Sequence, residues 1–370
     1  MKLIISKETL LEQLNRVVGA IEKKNTSDIL ENVLIQATPD TLKLVGTDQK
    51  IELSSSVEIQ PEIPGQITAP ARKLFDICKA LPDGCFITIE LDEQNSLHVK
   101  NQRSHFKLAT LPAEAYPLLD DIPISQEVTL TEKSFKHLIE KVSFSMANQD
   151  VRYFLNGMLL DFQGTNLFAV ATDGHRLAIS KYKDSHDYDK EFYEKIIIPR
   201  KSVLELSRLL DSNSQLPLTL QTSENHIRIK KDNFRFTSKL IDGKYPDYQT
   251  AIPVKTNHTI ILDREQFRDT LLRVAILSNE KFRSIHILLN DNMMFLHSNN
   301  PENETAEEEI DITYTGDLFE TGFNVTYLLD AVNHLEGKEI KLELTTPDAS
   351  AILYSDDDTG TRYIIMPVRM

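Results

Sequence analysis

Asp173 and His175 are the residues of this sequence that come nearest to a catalytic pair. A carboxylate that orients an imidazole can make it a general base, as hydrolases require. Residues so close within one turn rarely reach productive geometry, however, and no nucleophile lies near them in the sequence. The chain also lacks a glycine-rich phosphate loop, a His-Glu-x-x-His helix and a serine elbow. A hydrolytic enzyme using His175 and Asp173 is therefore the alternative hypothesis, and our prediction is that the chain has no catalytic residue.

Cysteine usage argues against a metal centre. Cys78 and Cys85 are the only two cysteines in 370 residues, and no further cysteine is available to complete a tetrahedral site. Idle thiols of this kind are typical of a reducing compartment. No apolar run approaches the roughly 18 residues of a membrane span. We therefore predict a cytoplasmic protein with no metal, no cofactor and no membrane partner.

Lysine and arginine recur at corresponding places on the helices predicted in each third of the chain. For any single residue, a solvated helix face with i,i+4 ion pairs is the simpler interpretation. Recurrence in all three thirds favours one shared basic surface that binds phosphates without sequence preference. The formal net charge of −15 argues against this only if the charge is spread evenly. The recurring residues are Arg16, Lys23, Lys24, Arg72, Lys73, Lys79, Lys136, Lys141, Arg152, Arg200, Lys201, Arg208, Arg264, Arg268, Arg273, Lys281 and Arg283.

The turn at Asp173-Gly174 belongs to a hairpin pattern that the chain repeats. Apolar residues flank this dipeptide throughout 167–180, and Asp-Gly between such runs is a strong hairpin signal. Residues 42–53 repeat the pattern, and residues 294–300 give a weaker third copy. The copies are 125 and 126 residues apart. Such constant spacing indicates three copies of one structural unit.

Within each copy, the hydrophobic pattern predicts a strand, a helix and three strands, and then the same order again. Pro-bearing linkers after Tyr116-Pro117 and Tyr245-Pro246 separate the copies, which predicts domains at 1–124, 125–253 and 254–370. Strands with two helices per domain on one face predict an α+β fold. Exposed sheet edges can be covered if the domains pair edge to edge in a curved row, which a second copy of the chain would close into a ring.

Residues 362–370 are predicted to form a C-terminal strand that ends in exposed apolar side chains. A frayed terminus is the simpler interpretation. Met366, Pro367, Val368 and Met370 instead favour a lipophilic groove, because flexible methionine-bearing surfaces accommodate several different partners. A repeat scaffold that binds only proteins is a further alternative.

Several sequence segments, in order along the whole chain, resemble the beta subunit of bacterial DNA polymerase III, the sliding clamp family. The resemblance implies a processivity factor without catalytic activity. It implies three clamp-type domains that form half of a six-domain ring, in which a head-to-tail homodimer encircles duplex DNA with helices inside and sheets outside. The segments are 146–158, 171–178, 236–248, 275–283, 322–327 and the Met-Pro-x-Arg sequence near the C-terminus.

The family also has a peptide-binding pocket between its second and third domains. Through it the family binds replicative and translesion polymerases, the clamp loader, mismatch-repair proteins and other proteins with a clamp-binding motif. By motif, the resemblance assigns the pocket to Leu155, Thr172, Gly174, His175, Arg176, Leu177, Pro246, Asn324, Tyr327, Ser350, Met366, Pro367, Val368, Arg369 and Met370.

The resemblance also implies residues for the two other surfaces of the ring. DNA contact would fall to Lys24, Gln149, Arg152 and Tyr153. At the dimer interface, Phe106 would pack near Ile276 and Leu277, and basic residues such as Arg103 would face the acidic run that contains Glu302 and Glu304.

Overall fold

A computed structural model describes residues 1–22, 27–119, 122–182 and 192–368. The chain divides into two compact units. The first unit contains residues 1–133 and 208–240, and the second contains residues 134–207 and 241–370. The predicted site residues Lys24, Arg369 and Met370 lie outside the described residues.

The first third of the chain follows the predicted doubled order. Ser6 caps the first helix, since its Oγ accepts the Thr9 N–H at 3.1 Å. Apolar residues keep helical spacing from Leu10 to Ile21, which predicts a longer helix than the one observed. The α-helix ends at Val17, and a 3₁₀ turn containing Gly19 follows. The elements are β1 (Lys2–Ser6), α1 (Lys7–Val17), β2 (Asn32–Ala37), β3 (Thr41–Thr47), β4 (Ile51–Glu58), β5 (Gly65–Pro70), α2 (Ala71–Ala80), β6 (Phe86–Leu91), β7 (Ser96–Lys100) and β8 (His105–Ala109).

The middle third repeats this order and contains the predicted hairpin around Asp173-Gly174. The elements are β9 (Gln126–Thr131), α3 (Glu132–Val142), β10 (Gly157–Gly164), β11 (Asn166–Thr172), β12 (Arg176–Lys181), β13 (Phe192–Pro199), α4 (Arg200–Leu209), β14 (Pro217–Thr222), β15 (His226–Lys231) and β16 (Phe234–Lys239).

The last third has the same order again. Its predicted C-terminal strand over 362–370 is wrong in length, because the strand ends at Ile365 and the chain continues without strand structure to residue 368. The elements are β17 (His258–Asp263), α5 (Arg264–Ala275), β18 (Ser284–Asn290), β19 (Met293–Asn299), β20 (Thr305–Asp311), β21 (Phe319–Asn324), α6 (Val325–His334), β22 (Glu339–Leu344), β23 (Ala351–Tyr354) and β24 (Thr361–Ile365).

The described strands form four antiparallel sheets, two in each unit. The first unit has a four-stranded sheet in the order β1-β6-β7-β8 and an eight-stranded sheet in the order β5-β2-β3-β4-β16-β15-β14-β9. The second unit has an eight-stranded sheet in the order β13-β10-β11-β12-β24-β23-β22-β17 and a four-stranded sheet in the order β20-β19-β18-β21.

Each eight-stranded sheet joins strands from two successive thirds of the chain. Strand β4 pairs with β16 from Ile51↔Ser238 to Ser55↔Phe234. Strand β12 pairs with β24 from Arg176↔Ile365 to Ser180↔Thr361. The prediction that neighbouring repeats pair edge to edge is confirmed at both positions.

The helices are amphipathic and their apolar faces are buried. Leu10 and Leu14 of α1, and Leu328 and Val332 of α6, are at most 1% exposed. Burial of this kind stabilises each large aliphatic side chain by roughly 1.5–3 kcal/mol. None of the helices in the described residues is long and apolar enough to cross a membrane.

Candidate functional site

A polar turn between β11 and β12 begins the site. Thr172 Oγ1 donates to the Arg176 carbonyl and accepts the Gly174 N–H at 3.0 Å. Asp173 Oδ1 accepts the backbone N–H groups of His175 and Arg176 at 2.9 and 3.0 Å. Gly174 has a φ of +89°, which favours glycine. These bonds present the turn's backbone and side chains at the end of the hairpin.

The Asp173 carboxylate is engaged with groups other than the His175 imidazole. Its Oδ1 accepts two backbone N–H groups, and its Oδ2 accepts the Arg176 Nε–H at 3.1 Å. These bonds orient the carboxylate toward the turn and Arg176. The structure therefore gives the catalytic dyad no support.

A cavity of about 540 Å³ opens beside this turn in the second unit. Its volume lies in the range of ligand pockets. Apolar side chains and a few polar groups line it, which suits a short peptide with apolar anchors. Lining residues are Arg152, Phe154, Leu155, Thr172, Gly174, His175, Arg176, Leu177, Pro246, Asp247, Tyr248, Thr250, Ala251, Ser350, Ile364 and Met366. We call this cavity the second-unit groove.

Arg176 fixes one wall of the second-unit groove. Its guanidinium donates to Asp173, to Asp330 of α6 and to the Phe144 carbonyl. It also lies 4.6 Å from the ring centroid of Tyr327, a cation–π distance. Charge-assisted bonds of this kind are about twice as strong as neutral ones. Arg176 is therefore held by partners from three different segments.

Arg152 contributes a second cation to the lining of the second-unit groove. Its guanidinium binds Asp150 with Nε at 3.0 Å and Nη2 at 2.8 Å, and donates to the Asp173 carbonyl at 3.1 Å. The hydrogen bond from Arg152 lowers the pKa of Asp150 to about 2. Asn156 closes the same loop by accepting the Asp150 N–H at 2.9 Å. The loop thus orients a cation toward the hairpin turn.

The linker after β16 supplies the floor of the second-unit groove. Tyr245 is 7% exposed and Tyr248 is 5% exposed, and both pack in one cluster with Leu155 and Leu177. The Tyr248 hydroxyl donates to Asp161 at 2.9 Å. Burial, followed by the adjacent Asp161 carboxylate, raises the pKa of Tyr248. The neutral phenol therefore remains a donor throughout the ordinary pH range.

Nine of the residues assigned to the pocket by resemblance line the second-unit groove together. Asn324, Tyr327, Pro367 and Val368 lie outside its lining. Asn324 caps α6, Tyr327 reaches the groove through Arg176, and the Val368 N–H donates to the Gly322 carbonyl at 2.8 Å. Sequence reasoning missed the lining residues Phe154, Asp247, Tyr248 and Ile364. The nine that were assigned are Leu155, Thr172, Gly174, His175, Arg176, Leu177, Pro246, Ser350 and Met366.

The whole length of the chain matches one family of known proteins. Residues 1–120, 129–247 and 249–369 match the N-terminal, central and C-terminal domains of the DNA polymerase III beta subunit. The Beta sliding clamp of Vibrio cholerae is 43% identical over 371 residues, covering all of both chains, and that of Escherichia coli K12 is 42% identical over the same span. The crystal structure of the DNA polymerase III subunit beta from Pseudomonas aeruginosa has a TM-score of 0.96, with 41% identity and full coverage of both chains.

This chain belongs to the DNA polymerase III beta subunit family. The family's three-domain α+β fold is therefore the fold of this chain. As a member of the sliding clamp family, it is a replication protein, and this assignment is supported over a hydrolase or a protein-only repeat scaffold.

In this beta subunit, three of the residues predicted for DNA contact lie on or beside one loop. Gln149, Arg152 and Tyr153 are exposed between α3 and β10, and Tyr153 is 56% exposed. Gln149 has a φ of +57°, which marks a sharp turn there. Arg152 also lines the second-unit groove, so one side chain contributes to both predicted surfaces.

The residues predicted for the dimer interface lie beside two terminal strands of the four-stranded sheets. In the first unit, Phe106 on β8 is 36% exposed and Arg103 lies in the exposed turn before it. In the second unit, Ile276 is 75% exposed and Leu277 follows it at the end of α5. Glu302 lies in the turn before β20, Glu304 directly precedes that strand, and both residues are exposed.

Proposed function

We propose that two copies of this chain close head to tail into a ring around duplex DNA and act as the processivity factor of the bacterial replicative polymerase. One observation carries the proposal. Strand β4 pairs with β16, and β12 pairs with β24, so the fourth strand of one domain joins the last strand of the next. In the described chain, the corresponding strands β20 and β8 are terminal strands of their sheets. In the ring that we propose, β20 of one copy pairs with β8 of another in the same way.

Charge and exposure support pairing between these two strands. Strand β20 carries acidic residues at 307, 308, 309 and 311, whereas β8 carries His105 and Lys107, and Arg103 precedes it. Arg273 binds Glu308 at 2.7 and 2.8 Å, which fixes one of these carboxylates within its own unit. Exposed Phe106 and Ile276 would then supply the apolar centre of the interface.

The second-unit groove would tether polymerases, the clamp loader, mismatch-repair and other motif-bearing proteins. Apolar anchors in the groove give a modest affinity, and confinement on the same DNA raises it. The related sliding clamps of Pseudomonas aeruginosa and Bartonella birtlesii have been solved bound to griselimycin, so clamps of this family do bind ligands. No step of this role needs bond chemistry, and we assign none to the chain.

Gln149, Arg152, Tyr153 and Lys24 would contact DNA phosphates weakly. Such contacts exchange with counterions, so a closed ring slides while its topology prevents escape. We assign this role to the cytoplasm. The domain boundaries that we propose are 1–124, 125–253 and 254–370.

Retention on circular DNA tests the proposal. After loading on a nicked plasmid by a clamp loader, the chain should remain bound in high salt and should leave once the plasmid is cut. Equal retention on circular and linear DNA would refute encirclement.

Sedimentation tests the interface separately. Phe106→Asp should convert the dimer to a monomer. Phe86→Asp is the matched control, because Phe86 is 67% exposed in the same sheet but lies on β6, away from the terminal strand. A Phe106→Asp dimer as stable as the control would exclude this interface.

A further inference from the structure

The four-stranded sheet of the second unit carries two histidines at directly opposed positions. His286 on β18 pairs with His297 on β19 in the antiparallel register. Side chains at opposed positions share a face of the sheet, and their β-carbons lie about 4.5–5.5 Å apart. Ser298 Oγ donates to the Val274 carbonyl of α5 at 2.7 Å, so the neighbouring His297 occupies the face that is turned away from α5. Both imidazoles therefore lie on one face, close enough to bind a single ion.

Both histidines line a cavity of about 240 Å³. Ser284 and Asn299 contribute side-chain oxygens to the same lining. Gly322 lies opposite His286 on β21, and its carbonyl accepts the Val368 N–H at 2.8 Å. Because one liquid water occupies about 30 Å³, the cavity has room for an ion with several waters. The lining residues are Ser284, Ile285, His286, His297, Asn299, Gly322 and Val368. We call this cavity the histidine cavity.

A carboxylate lies beside one ring nitrogen of each histidine. His286 Nε2 lies 2.7 Å from Glu320 Oε1, and His297 Nδ1 lies 3.6 Å from Glu307 Oε1. Around metal-bound histidines, a carboxylate beside one ring nitrogen fixes the ring and makes the other nitrogen a better ligand. His286 Nδ1 and His297 Nε2 are then the nitrogens that can bind an ion.

The charges around the histidine cavity favour a cation. The described strands β18, β19, β20 and β21 contain no lysine or arginine, and two of them carry Glu307 and Glu320. Arg273 and Arg283 are bound on the α5 side of the sheet. Arg369 lies outside the described residues, and its single charge would still leave these two carboxylates in excess.

From these observations we propose that His286 and His297 bind a divalent transition-metal ion in the histidine cavity. Imidazole nitrogens with oxygen ligands suit Zn²⁺. The side-chain oxygens of Ser284 and Asn299, or water, would fill the remaining positions, and the two carboxylates would orient the imidazoles. This differs from the expectation drawn from cysteine usage, because the ligands are imidazoles and not thiolates. The inference goes beyond the proposed function, since it needs neither the ring nor the second-unit groove.

Zinc titration by isothermal calorimetry tests the proposal, on the metal-free full chain without a histidine tag. The wild type should bind Zn²⁺ saturably, and the ion should shift the NMR ring signals of His286 and His297. Loss of an outer partner of a metal ligand costs about tenfold or more in affinity. Glu320→Gln should therefore weaken binding by about tenfold, and His286→Gln and His297→Gln should each weaken it at least as much.

His98→Gln is the matched control. His98 and His105 form a second histidine pair on neighbouring strands, in the first unit, where His98 Nδ1 lies 2.7 Å from His105 Nε2. Removing His98 should leave zinc binding at the histidine cavity unchanged. The absence of zinc binding in the wild type would overturn the proposal. Zinc binding by His286→Gln and His297→Gln as tight as that of His98→Gln would overturn it as well.

Two further features of the design keep the result clear. Should His286→Gln fail to fold, His297→Gln decides the question, because the His297 side chain is 39% exposed and that of His286 is 28% exposed. Retention on circular DNA and dimerisation should be the same in the folded variant as in the wild type. A failure of zinc binding would therefore overturn this inference alone and leave the proposed function intact.

Discussion

Replacing Lys141 by methionine should destabilise the second unit strongly. The Lys141 ammonium lies 2.8 Å from Asp358 Oδ2 and 2.9 Å from Glu336 Oε1, and it donates to the His334 carbonyl at 2.7 Å. The side chain of Lys141 is 7% exposed and that of Asp358 is 0% exposed. Methionine preserves most of the packing volume but leaves the buried Asp358 carboxylate without this cation.

Removing one partner of a buried ion pair costs about 3–5 kcal/mol. Glu336 is 56% exposed, so water replaces its lost partner at little cost. In a domain of this size, about 3–5 kcal/mol lowers the melting temperature by roughly 6–20 °C. The double variant Lys141→Met/Asp358→Leu should recover most of that loss, because it removes the buried Asp358 carboxylate as well.

Scanning calorimetry measures these shifts. Lys341→Met is the matched control, since Lys341 binds Asp356 at 2.6 Å but Asp356 is 71% exposed, and its loss should cost under about 1 kcal/mol. A cost for Lys141→Met no greater than that of the control would refute the reasoning. The reasoning would also be refuted if the double variant were no more stable than Lys141→Met.

Lys141→Met should also change the pKa of Glu336 and the pH dependence of the protein's stability. The hydrogen bond from Lys141 lowers the pKa of Glu336. The stability from this carboxyl group is present above its unfolded pKa, and it is lost as the pH falls through the lowered folded pKa. The variant should therefore lose less stability on acidification, and NMR titration should show the pKa of Glu336 rising toward its ordinary value.

Two further predictions concern single substitutions, at Gly174 in the second unit and at Lys239 in the first. Gly174→Ala should cost about 1 kcal/mol in backbone strain, as should Gly84→Ala at a φ of +72°. A Cβ at Gly174 would also lie 2.7 Å from the Arg152 guanidinium, whereas one at Gly84 meets no atom within 4 Å, so only Gly174→Ala should change peptide affinity in a polarisation assay. Burial lowers the pKa of His226, and the charges of Lys239 and Arg228 lower it further. Lys239→Met should therefore raise the pKa of His226 in an NMR titration. An unchanged pKa would exclude an electrostatic effect of Lys239 on His226.

Much of the fold could be predicted because short sequence patterns mark the hairpins and helices of each repeat. Asp-Gly and its counterparts mark the hairpin turns, and helical spacing of apolar residues marks α1 to α6. Edge pairing between domains followed from the need to cover exposed strands, and both predicted junctions are present. Helix ends were less predictable, because the helical spacing of apolar residues continues to Ile21 although α1 ends at Val17 and a 3₁₀ turn follows.

The site was predictable where short motifs carried it and unpredictable where distant segments meet. Arg152 was assigned to DNA contact alone, although its bond to the Asp173 carbonyl also makes it part of the second-unit groove. The C-terminal strand was extended too far because apolar composition does not show where the backbone leaves a ladder. After Ile365, the Val368 N–H turns to Gly322, which lies 46 residues away in the sequence.

The two continuous eight-stranded sheets determine where such a ring can open. Five residue pairs join β4 to β16, and five join β12 to β24. Bending the chain at either junction would break a row of main-chain hydrogen bonds together with the buried side chains beneath them. A hinge is therefore disfavoured at either of these two junctions, and in the proposed ring the separation of one copy from the other would leave both rows of hydrogen bonds intact.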